Sequence, residues 1–238
     1  MKNKMTETSQ DILTESRTKL ISGPISEQVT ERYKKNFADH IRPRFVPDGA
    51  LSVLYTFCLG GLSFLAFIVL GVTGLLLMFH YQPGESTGFN SILTLASVIP
   101  YGGVIRNLHY WAGQLMVVTV NLHMLRVVWT HSYKSPRQLN WLVGVGLLIL
   151  VLVLDFTGYL LIGSQESGAA ATVAVNILGL IPGIGVALGK ISLGEPSALS
   201  GSTLVVYVWH CVGLPMVALI LQFYHFWRIR RDGGVRPL

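Results

Sequence analysis

Four histidines lie in two strongly apolar segments of the chain, in two pairs with nearly equal spacing. His109 and His123 are separated by fourteen positions, whereas His210 and His225 are separated by fifteen. In an α-helix, a step of about 14 residues returns to within about 40° of the same face, roughly 21 Å further along the axis. One residue more lands within about 60° of that face, and Pro215 is expected to bend the helix slightly. Each helix therefore presents two imidazoles on one side, at two levels.

Two such helices running in the same direction place the four imidazoles in two facing pairs. The first histidine pair is His109 with His210, and the second histidine pair is His123 with His225. Two facing imidazoles fill both axial positions of a haem iron, which then carries electrons without binding oxygen. The alternative is four unrelated core histidines that make hydrogen bonds. Since ionisable groups inside a membrane are costly and mark function, we predict two b-type haems, one above the other.

Two pairs of glycines repeat the histidine period. Gly60 and Gly74 are separated by fourteen positions, and so are Gly144 and Gly158. A porphyrin edge that lies between helices requires a missing side chain where it meets a backbone. Glycine is frequent in transmembrane helices, so one pair alone would be a weak signal. The two pairs together indicate haem contacts at the levels of the histidines.

Three arginines near the histidines in sequence are candidate partners for bound groups. Arg106 precedes His109 by about one turn, and Arg126 follows His123 by about one turn. Both are predicted to meet haem propionates, although long cationic side chains also extend to lipid headgroups. Arg230, which follows His225 after little more than one turn, could do the same, meet a quinone, or simply mark the orientation of the chain.

The elements that must position these residues are transmembrane helices. The chain has 238 residues, of which 51% are hydrophobic and 13% charged, and its mean hydropathy is +0.52. A spanning helix needs about 20 mostly apolar residues. Four stretches meet this requirement, at positions 51–81, 104–130, 139–163 and 203–229. We predict an all-α fold, a four-helix transmembrane bundle that binds two stacked haems.

The distribution of charge gives the orientation and argues against nucleic-acid binding. Nine of the 18 Lys and Arg precede Leu51, where seven acids nearly balance them. Lys134 and Arg137 follow the second span, and the C-terminal end of the chain carries Arg228, Arg230, Arg231 and Arg236. Because positive charge accumulates on the cytoplasmic (n) side, both termini are predicted there. The first and third connections then face the opposite (p) side.

Outside the spans, further segments are predicted. Positions 1–24 resemble a flexible tail, positions 25–50 an amphipathic segment on the n-side surface, and positions 51–238 form the haem-binding domain. The apolar stretch 169–188 is broken by Pro182, which predicts one or two short helices along the p-side interface. No cleavable signal peptide is expected, because the chain lacks an apolar run before Leu51. Cys58 and Cys211 fall in different helices and imply no disulfide framework.

Several motifs resemble the cytochrome b family, and most closely its short, split form, cytochrome b6. They cover about positions 38–238: IRNLHYW at His109, NLHMLRV at His123, KSPRQLNWLVG, FTGY, WHCVGLP at His210 and HFWRIRRDGGVRPL from His225. The fifteen-residue spacing from His210 to His225 resembles that of the split form, since the mitochondrial type has one residue fewer between these ligands. The chain also stops after its fourth span, as the split form does.

The resemblance implies the cytochrome b subunit of a Rieske/cytochrome b quinol-oxidising complex. Quinol on the p side gives one electron to a Rieske iron–sulfur protein and the other, through both haems, to an n-side quinone. Further implied partners are a c-type cytochrome, a separate subunit with the remaining cytochrome b helices, and a second copy in a homodimer. The implied location is a bacterial-type inner membrane or an equivalent energy-transducing membrane.

The resemblance also gives Cys58 a role. YTFCLGG is similar to the segment in which one cysteine of the split form holds a c-type haem through a single thioether bond, on the n side. From the residues alone, Cys58 would be a small buried hydrophobe. Cys211 matches no such motif and is predicted to be packing.

Three departures from the family pattern lie towards the p side. Gly158-Tyr159 is followed by neither the Pro nor the Trp of the family's Leu-Pro-Trp, Tyr110 replaces an arginine, and Asp155 is an acid inside the third span. A carboxylate there is costly unless it is paired or hydrated. Asp155 is therefore a structural hydrogen-bonding group, a proton acceptor at a quinone site, or the partner of a cation on another subunit.

Two other function classes fit part of the pattern. A dihaem membrane anchor, which passes electrons between a dehydrogenase subunit and quinone, also uses four helices and bis-histidine haems. A transporter or metal-handling protein could line a path with histidines. Neither alternative requires two matched histidine pairs on only two helices.

Overall fold

A computed structural model describes residues 58–194 and 199–235, without the side chains of residues 85–86 and 199–202. The described residues contain helices and no β-strand, so the prediction of an all-α fold is confirmed for them. The predicted tail, the surface segment and the start of the first span lie outside the described residues. The helices are α1 (Leu59–Met78), α2 (Glu85–Ser97), α3 (Gly102–Trp129), α4 (Gln138–Leu160), α5 (Gln165–Gly179), α6 (Gly185–Leu193), α7 (Leu199–Val208) and α8 (Leu214–Asp232), with a π segment (Trp209–Gly213) between α7 and α8.

Three helical stretches are long and apolar enough to cross a membrane: Leu59–Met78, Gln138–Leu160 and Thr203–Asp232. A fourth candidate span is formed by two helices that meet at a bend of 112°, if they are counted as one broken span: Thr87–Ser97 and Gly102–Trp129. At about 1.5 Å per residue, the 28 residues of α3 alone would reach roughly 42 Å. Its composition is more polar than those of α1 and α4, because it carries two histidines and two arginines.

The connections contain more helix than the sequence patterns predicted. Helix α2 was missed, since its residues ESTGFNSILTLAS carry polar groups throughout and precede a longer apolar stretch. Helices α5 and α6 agree with the prediction of two short helices separated by Pro182. Ser164 caps α5 by accepting a hydrogen bond from the Ser167 backbone N–H, and hydrogen bonds from Ser164 and from the Glu166 backbone lower the pKa of Glu166.

The long helices contact one another around the histidines. Helix α1 packs against α3, α3 against α4, and α4 against α8. Phe64 of α1 meets Phe226 of α8 edge to face, with ring centroids 4.9 Å apart. Midway along the helices, Ala66, Met116 and Val151 form a buried apolar cluster. This cluster separates the levels of the two histidine pairs.

A second core lies at the predicted p-side end. Leu160, Leu161, Leu193 and Val206 are buried there, with Tyr81 packed against them. The Tyr81 hydroxyl donates to the Leu161 carbonyl at 2.8 Å. The Tyr81 ring also stacks on Tyr207, at 5.5 Å between centroids. The ends of α1, α4 and α7 are held together by these contacts.

The π segment explains the unequal histidine spacing. The Leu214 N–H donates to the Trp209 carbonyl, five positions earlier, where an α-helix would use the residue four earlier. Pro215 has no N–H for Cys211, and its ring crowds that carbonyl, so the preceding turn opens. The extra residue is taken up in this turn, and the longer step from His210 to His225 therefore covers the same register as the step from His109 to His123. The slight bend expected at Pro215 stays a prediction.

Candidate functional site

The first histidine pair is formed across two elements. His109 of α3 and His210 of the π segment face each other with ring centroids 6.4 Å apart and planes at 69°. Since a metal–imidazole bond is about 2 Å long, this separation accommodates one metal ion between the two rings. The sequence prediction that these residues lie level with each other agrees with this arrangement.

Each imidazole of the first pair contacts a threonine on a neighbouring helix. His109 Nδ1 lies 2.9 Å from Thr73 Oγ1, and His210 Nδ1 lies 3.0 Å from Thr157 Oγ1. Thr73 and Thr157 are buried, and each directly precedes one of the predicted haem-contacting glycines. The two histidines therefore have matching surroundings.

The second histidine pair lines one cavity. His123 of α3 and His225 of α8 both border a space of about 340 Å³. Gly60 of α1 and Gly144 of α4 border the same space, which also reaches Asn140. The cavity is mostly apolar in its lining, as a pocket for a largely apolar prosthetic group should be.

All four glycines stand directly against the four imidazoles. A Cβ atom at each glycine position would lie close to the Cε1 atom of the facing ring. The distances are 3.1 Å for Gly74 to His109, 3.4 Å for Gly60 to His123, 3.5 Å for Gly144 to His225 and 2.9 Å for Gly158 to His210. The glycines of α1 face the histidines of α3, and those of α4 face the histidines of the last span. The predicted contact of these glycines with a porphyrin edge stays a prediction.

The predicted cations are distributed unevenly around the two pairs. Arg106 is half-buried near the start of α3, and Arg126 is buried in its last turn, with 7% of its surface exposed. Arg126 does not line the described cavity. Arg137 does, together with Ser132 and Asn140. Arg230 is exposed near the end of α8.

Among the arginine and asparagine side chains that line the cavity, two polar atoms are buried without hydrogen bonds in the described part of the chain. They are Oδ1 of Asn140 and one terminal nitrogen of Arg137. The Arg137 Nε atom donates to the Ser132 carbonyl at 3.0 Å, which directs the guanidinium. Since buried polar groups are normally paired, the Arg137 nitrogen fits an anionic group such as a carboxylate, whereas the Asn140 oxygen fits a hydrogen-bond donor.

The two cysteines lie in different surroundings. Cys58 is exposed and precedes α1, with a φ of 51°. It comes just before Gly60 and Gly61, and both glycines line the cavity of the second pair. The alternative of a buried packing residue does not match this position. Cys211 is partly buried in the π segment, next to His210.

Asp155 contacts helix α3 inside the membrane-spanning region. Its Oδ1 atom accepts a hydrogen bond from Gln114 Nε2 at 3.4 Å. A Cβ atom on Gly113 would lie 3.9 Å from the same oxygen. Asp155 is therefore one turn beyond the first histidine pair along α3, with a neutral polar partner among the described residues.

The chemistry of the site follows from the number of available ligands. Within the described residues, no group of three or more His, Cys, Asp or Glu side chains could hold a metal ion. Two facing imidazoles alone suit a metal whose remaining ligands come from its own macrocycle. The glycine-lined spaces beside the rings fit such a macrocycle, and a haem is consistent with both pairs.

Several residues at these sites were missed from the sequence. The Thr-Gly dipeptide occurs at both predicted glycine positions of the first pair, and this repetition could have revealed Thr73 and Thr157. Arg137 was used only as an orientation signal, although KSPRQLNW places it near Asn140. Asn140 lies one turn before Gly144, on the side that faces the cavity.

Nearly the whole chain is similar to known proteins. The family model described as Cytochrome b/b6/petB matches residues 47–233. A cytochrome b6 from Heliomicrobium gestii is 40% identical over 204 residues, which cover 86% of this chain and 93% of that protein. The menaquinol:cytochrome c reductase cytochrome b subunit of Geobacillus thermodenitrificans is 33% identical over 205 residues, covering 86% and 92%.

A solved structure has a similar fold. A chain of a hyperthermophilic respiratory Complex III superposes with a TM-score of 0.66 at 24% identity. The match covers 77% of the present chain and 49% of the solved one, so this chain spans about half of its length. At this identity the likeness shows the fold.

Proposed function

This chain belongs to the cytochrome b family, and from that premise we propose that it is the cytochrome b subunit of a Rieske/cytochrome b quinol-oxidising complex. It binds two b-type haems, at the first and second histidine pairs, as a four-helix bundle. It carries electrons from a quinol on the p side to a quinone on the n side. The chain is one electron-transfer subunit of the enzyme and has no catalysis of its own.

The observation that carries the proposal is the set of four glycine–imidazole contacts. Each histidine meets a glycine of a neighbouring helix, and the four contacts fall at two levels. Histidines that served only as packing residues in a core would not need a glycine opposite each ring, nor the same spacing in each helix. Bound haem supplies an iron that gains or loses one electron at a time.

The side chains control how that chemistry occurs. The imidazoles provide the axial ligands, and the glycines leave room beside them. Thr73 and Thr157 orient the rings of the first pair. The cluster of Ala66, Met116 and Val151 excludes water between the two levels. A dry, apolar interior sets the potential of a bound iron.

The polar groups of the second cavity suit the haem carboxylates. Arg137 can pair with a propionate, because its guanidinium is directed by the Ser132 carbonyl and borders the cavity. Asn140 borders the same cavity, where only its amide nitrogen could donate to a carboxylate. Arg126 and Arg106 remain our proposed partners for propionates at the two levels. Each of these four side chains would then form a hydrogen bond or ion pair with a polar or anionic group of a haem.

Cys58 is proposed to carry a third, covalent c-type haem. Its side chain is exposed beside the glycines of the second cavity. Addition of the thiol across a haem vinyl group forms one carbon–sulfur bond, and the thiol proton goes to the other vinyl carbon. The reaction has no leaving group and needs no oxidant.

Two residues are proposed for quinone chemistry. Asp155 lies in the half of its span nearer the first pair, where a carboxylate could accept a proton from quinol. Its partner Gln114 would then hold it in position. Arg230 is exposed at the opposite end, where it could meet a quinone headgroup or lipid.

Orientation and assembly complete the proposal. Both termini lie on the n side of a bacterial-type inner membrane or an equivalent energy-transducing membrane. The partners are a Rieske iron–sulfur protein, a c-type cytochrome, a separate subunit with the remaining cytochrome b helices, and a second copy of the complex. The relatives named as menaquinol:cytochrome c reductase subunits support this assembly.

Two measurements on the complex purified from its native membrane test the function. A pyridine haemochrome spectrum should give two b-type haems per chain, with one further covalent haem. Mass spectrometry should identify a Rieske protein among the co-purifying subunits. A molybdenum or nickel dehydrogenase in its place would overturn the proposal in favour of a dihaem membrane anchor, and absence of haem would indicate a transporter.

A further inference from the structure

The two histidine pairs differ in what their Nδ1 atoms contact. In the first pair, both Nδ1 atoms lie within hydrogen-bonding distance of a threonine hydroxyl. In the second pair, the residues that precede the facing glycines are Leu59 and Val143, which have no hydroxyl. Nδ1 of His225 is buried and contacts no hydroxyl, and the imidazole faces the Asn140 backbone carbonyl instead. The two levels are therefore built differently although their glycines and histidines match.

The direction of the threonine hydrogen bonds is fixed by the helix backbone. The Thr73 hydroxyl donates to the Val69 carbonyl at 2.6 Å. The Thr157 hydroxyl donates to the Val153 carbonyl at 2.9 Å. A hydroxyl has only one hydrogen to donate. With that hydrogen committed to the backbone, each oxygen can only accept from the imidazole, so Nδ1 carries the proton.

This arrangement determines both which nitrogen is available to a metal and how basic it is. A proton held on Nδ1 leaves Nε2 unprotonated, as a metal ligand requires. A hydrogen bond from the outer N–H of a ligating imidazole also raises the basicity of the ligand. A more basic ligand stabilises the more highly charged, ferric iron. The reduction potential of that iron therefore falls.

We propose that Thr73 and Thr157 are positioning residues that lower the reduction potential of the haem held by His109 and His210. The second pair lacks equivalent threonines, so this contribution is confined to the haem of the first pair. This inference rests on the proposed haem ligation and assigns part of one haem potential to two side chains.

The test replaces each hydroxyl by a methyl group of the same shape. Thr73→Val and Thr157→Val remove the acceptor but keep the branched side chain. In a potentiometric titration of the intact complex, each should raise the potential of the first-pair haem, and the double variant should raise it further. The potential of the second-pair haem should stay unchanged. Thr73→Ser and Thr157→Ser keep the hydroxyl and should retain the original potential.

Thr119→Val is the matched control. Thr119 is also buried in a span, but its hydroxyl pairs with Ser63 and the Met116 carbonyl and does not contact an imidazole. It should leave both potentials unchanged. Haem content is measured in every variant, so that loss of the cofactor is not mistaken for a change in its potential.

The outcomes separate this inference from the proposed function. An unchanged first-pair potential in both valine variants, at full haem content, would overturn the role of the threonines. If the valine variants lose that haem, Thr73→Ala and Thr157→Ala are titrated instead. If only the serine variants keep the haem, the threonine hydroxyls are needed to retain it. That result would also overturn the proposed effect of the threonines on the reduction potential. Two haems missing from the unaltered complex would instead refute the proposed ligation.

Discussion

Gly158 lies so close to His210 that a Cβ atom at this position would stand 2.9 Å from the imidazole Cε1 atom. At Gly144 the corresponding distance to His225 is 3.5 Å, an ordinary van der Waals contact. The same substitution should thus have different effects at two glycines of one helix. Overpacking of a filled site costs about 1–3 kcal/mol.

We expect Gly158→Ala to displace the His210 ring and to reduce the first-pair haem to well below one per chain. Gly144→Ala should reduce the second-pair haem to a smaller degree, because the added Cβ atom meets the His225 ring at an ordinary contact distance. Gly146→Ala is the control, because a Cβ atom there meets no other atom within 4 Å. Haem content per chain is measured by pyridine haemochrome. Equal retention in the Gly158 and Gly144 variants would contradict the close approach.

Replacement of a histidine should remove one level of haem selectively. His123→Leu or His225→Leu should remove the second-pair haem, because one axial ligand is lost. His109→Leu or His210→Leu should do the same at the first pair. Half of the b-type haem should remain in each case when the haem content of the purified complex is measured.

His80→Leu is the control for these variants, since His80 is an exposed residue beyond α1. It should keep both b-type haems. Full retention in any of the four ligand variants would refute the assignment of that histidine.

Cys58→Ala should abolish covalent attachment of haem. A thioether survives denaturation, whereas coordination by histidine is lost with the fold. Haem staining of a denaturing gel should therefore mark the unaltered subunit and the Cys211→Ala variant, but not Cys58→Ala. An unstained band from the unaltered protein would mean that only two haems are present.

Asp155→Asn tests the proton-accepting role of the carboxylate. The amide preserves shape and hydrogen bonding to Gln114 but does not titrate in this range. If the carboxylate accepts the quinol proton, the unaltered rate should fall as pH drops through its pKa, because the protonated acid cannot accept. In the variant, the rate should no longer fall at low pH, and turnover should be roughly 100-fold slower. Its haem content should be normal.

Gln114→Leu distinguishes this role from a structural one. It removes the donor to Asp155 and leaves the carboxylate in place. A structural contact predicts that Gln114→Leu alone loses stability or haem, whereas Asp155→Asn keeps the hydrogen bond and shows the rate and pH profile of the unaltered complex. Quinol oxidation by Asp155→Asn at the original rate across pH would end the proton-acceptor hypothesis.

The sequence predicted most of the features that depend on helical periodicity. The spans near 104–130 and 139–163 agree with α3 and α4 to within one turn at each end. The prediction that His109 and His210 lie level with each other also agrees with the structure. It combined the spacing within each helix with the expectation that both helices run in the same direction. The family resemblance is confirmed by the match over residues 47–233.

Features that depend on tertiary contacts were not predictable in this way. The hydrogen bond of Thr73 with His109, like that of Thr157 with His210, joins residues that are distant in sequence and lie on different helices. The cavity role of Arg137 depends on its bond to the Ser132 carbonyl in the turn before α4. Prediction of the π turn would have required knowledge of how the backbone before Pro215 adjusts in a packed helix. The haem number, the covalent haem and the quinone residues stay predictions.

The widened turn at Trp209–Gly213 has a consequence for how chain length can vary at this position. An inserted residue in a regular helix rotates everything beyond it by about 100°, which would carry His225 away from His123. Here the insertion is confined to one turn, so the last span can lose this residue without moving its far end. Deletion of one residue between His210 and Pro215 should leave both ligands aligned. The same deletion two turns later would turn His225 out of its cavity, so tolerance to length change is local to the turn before Pro215.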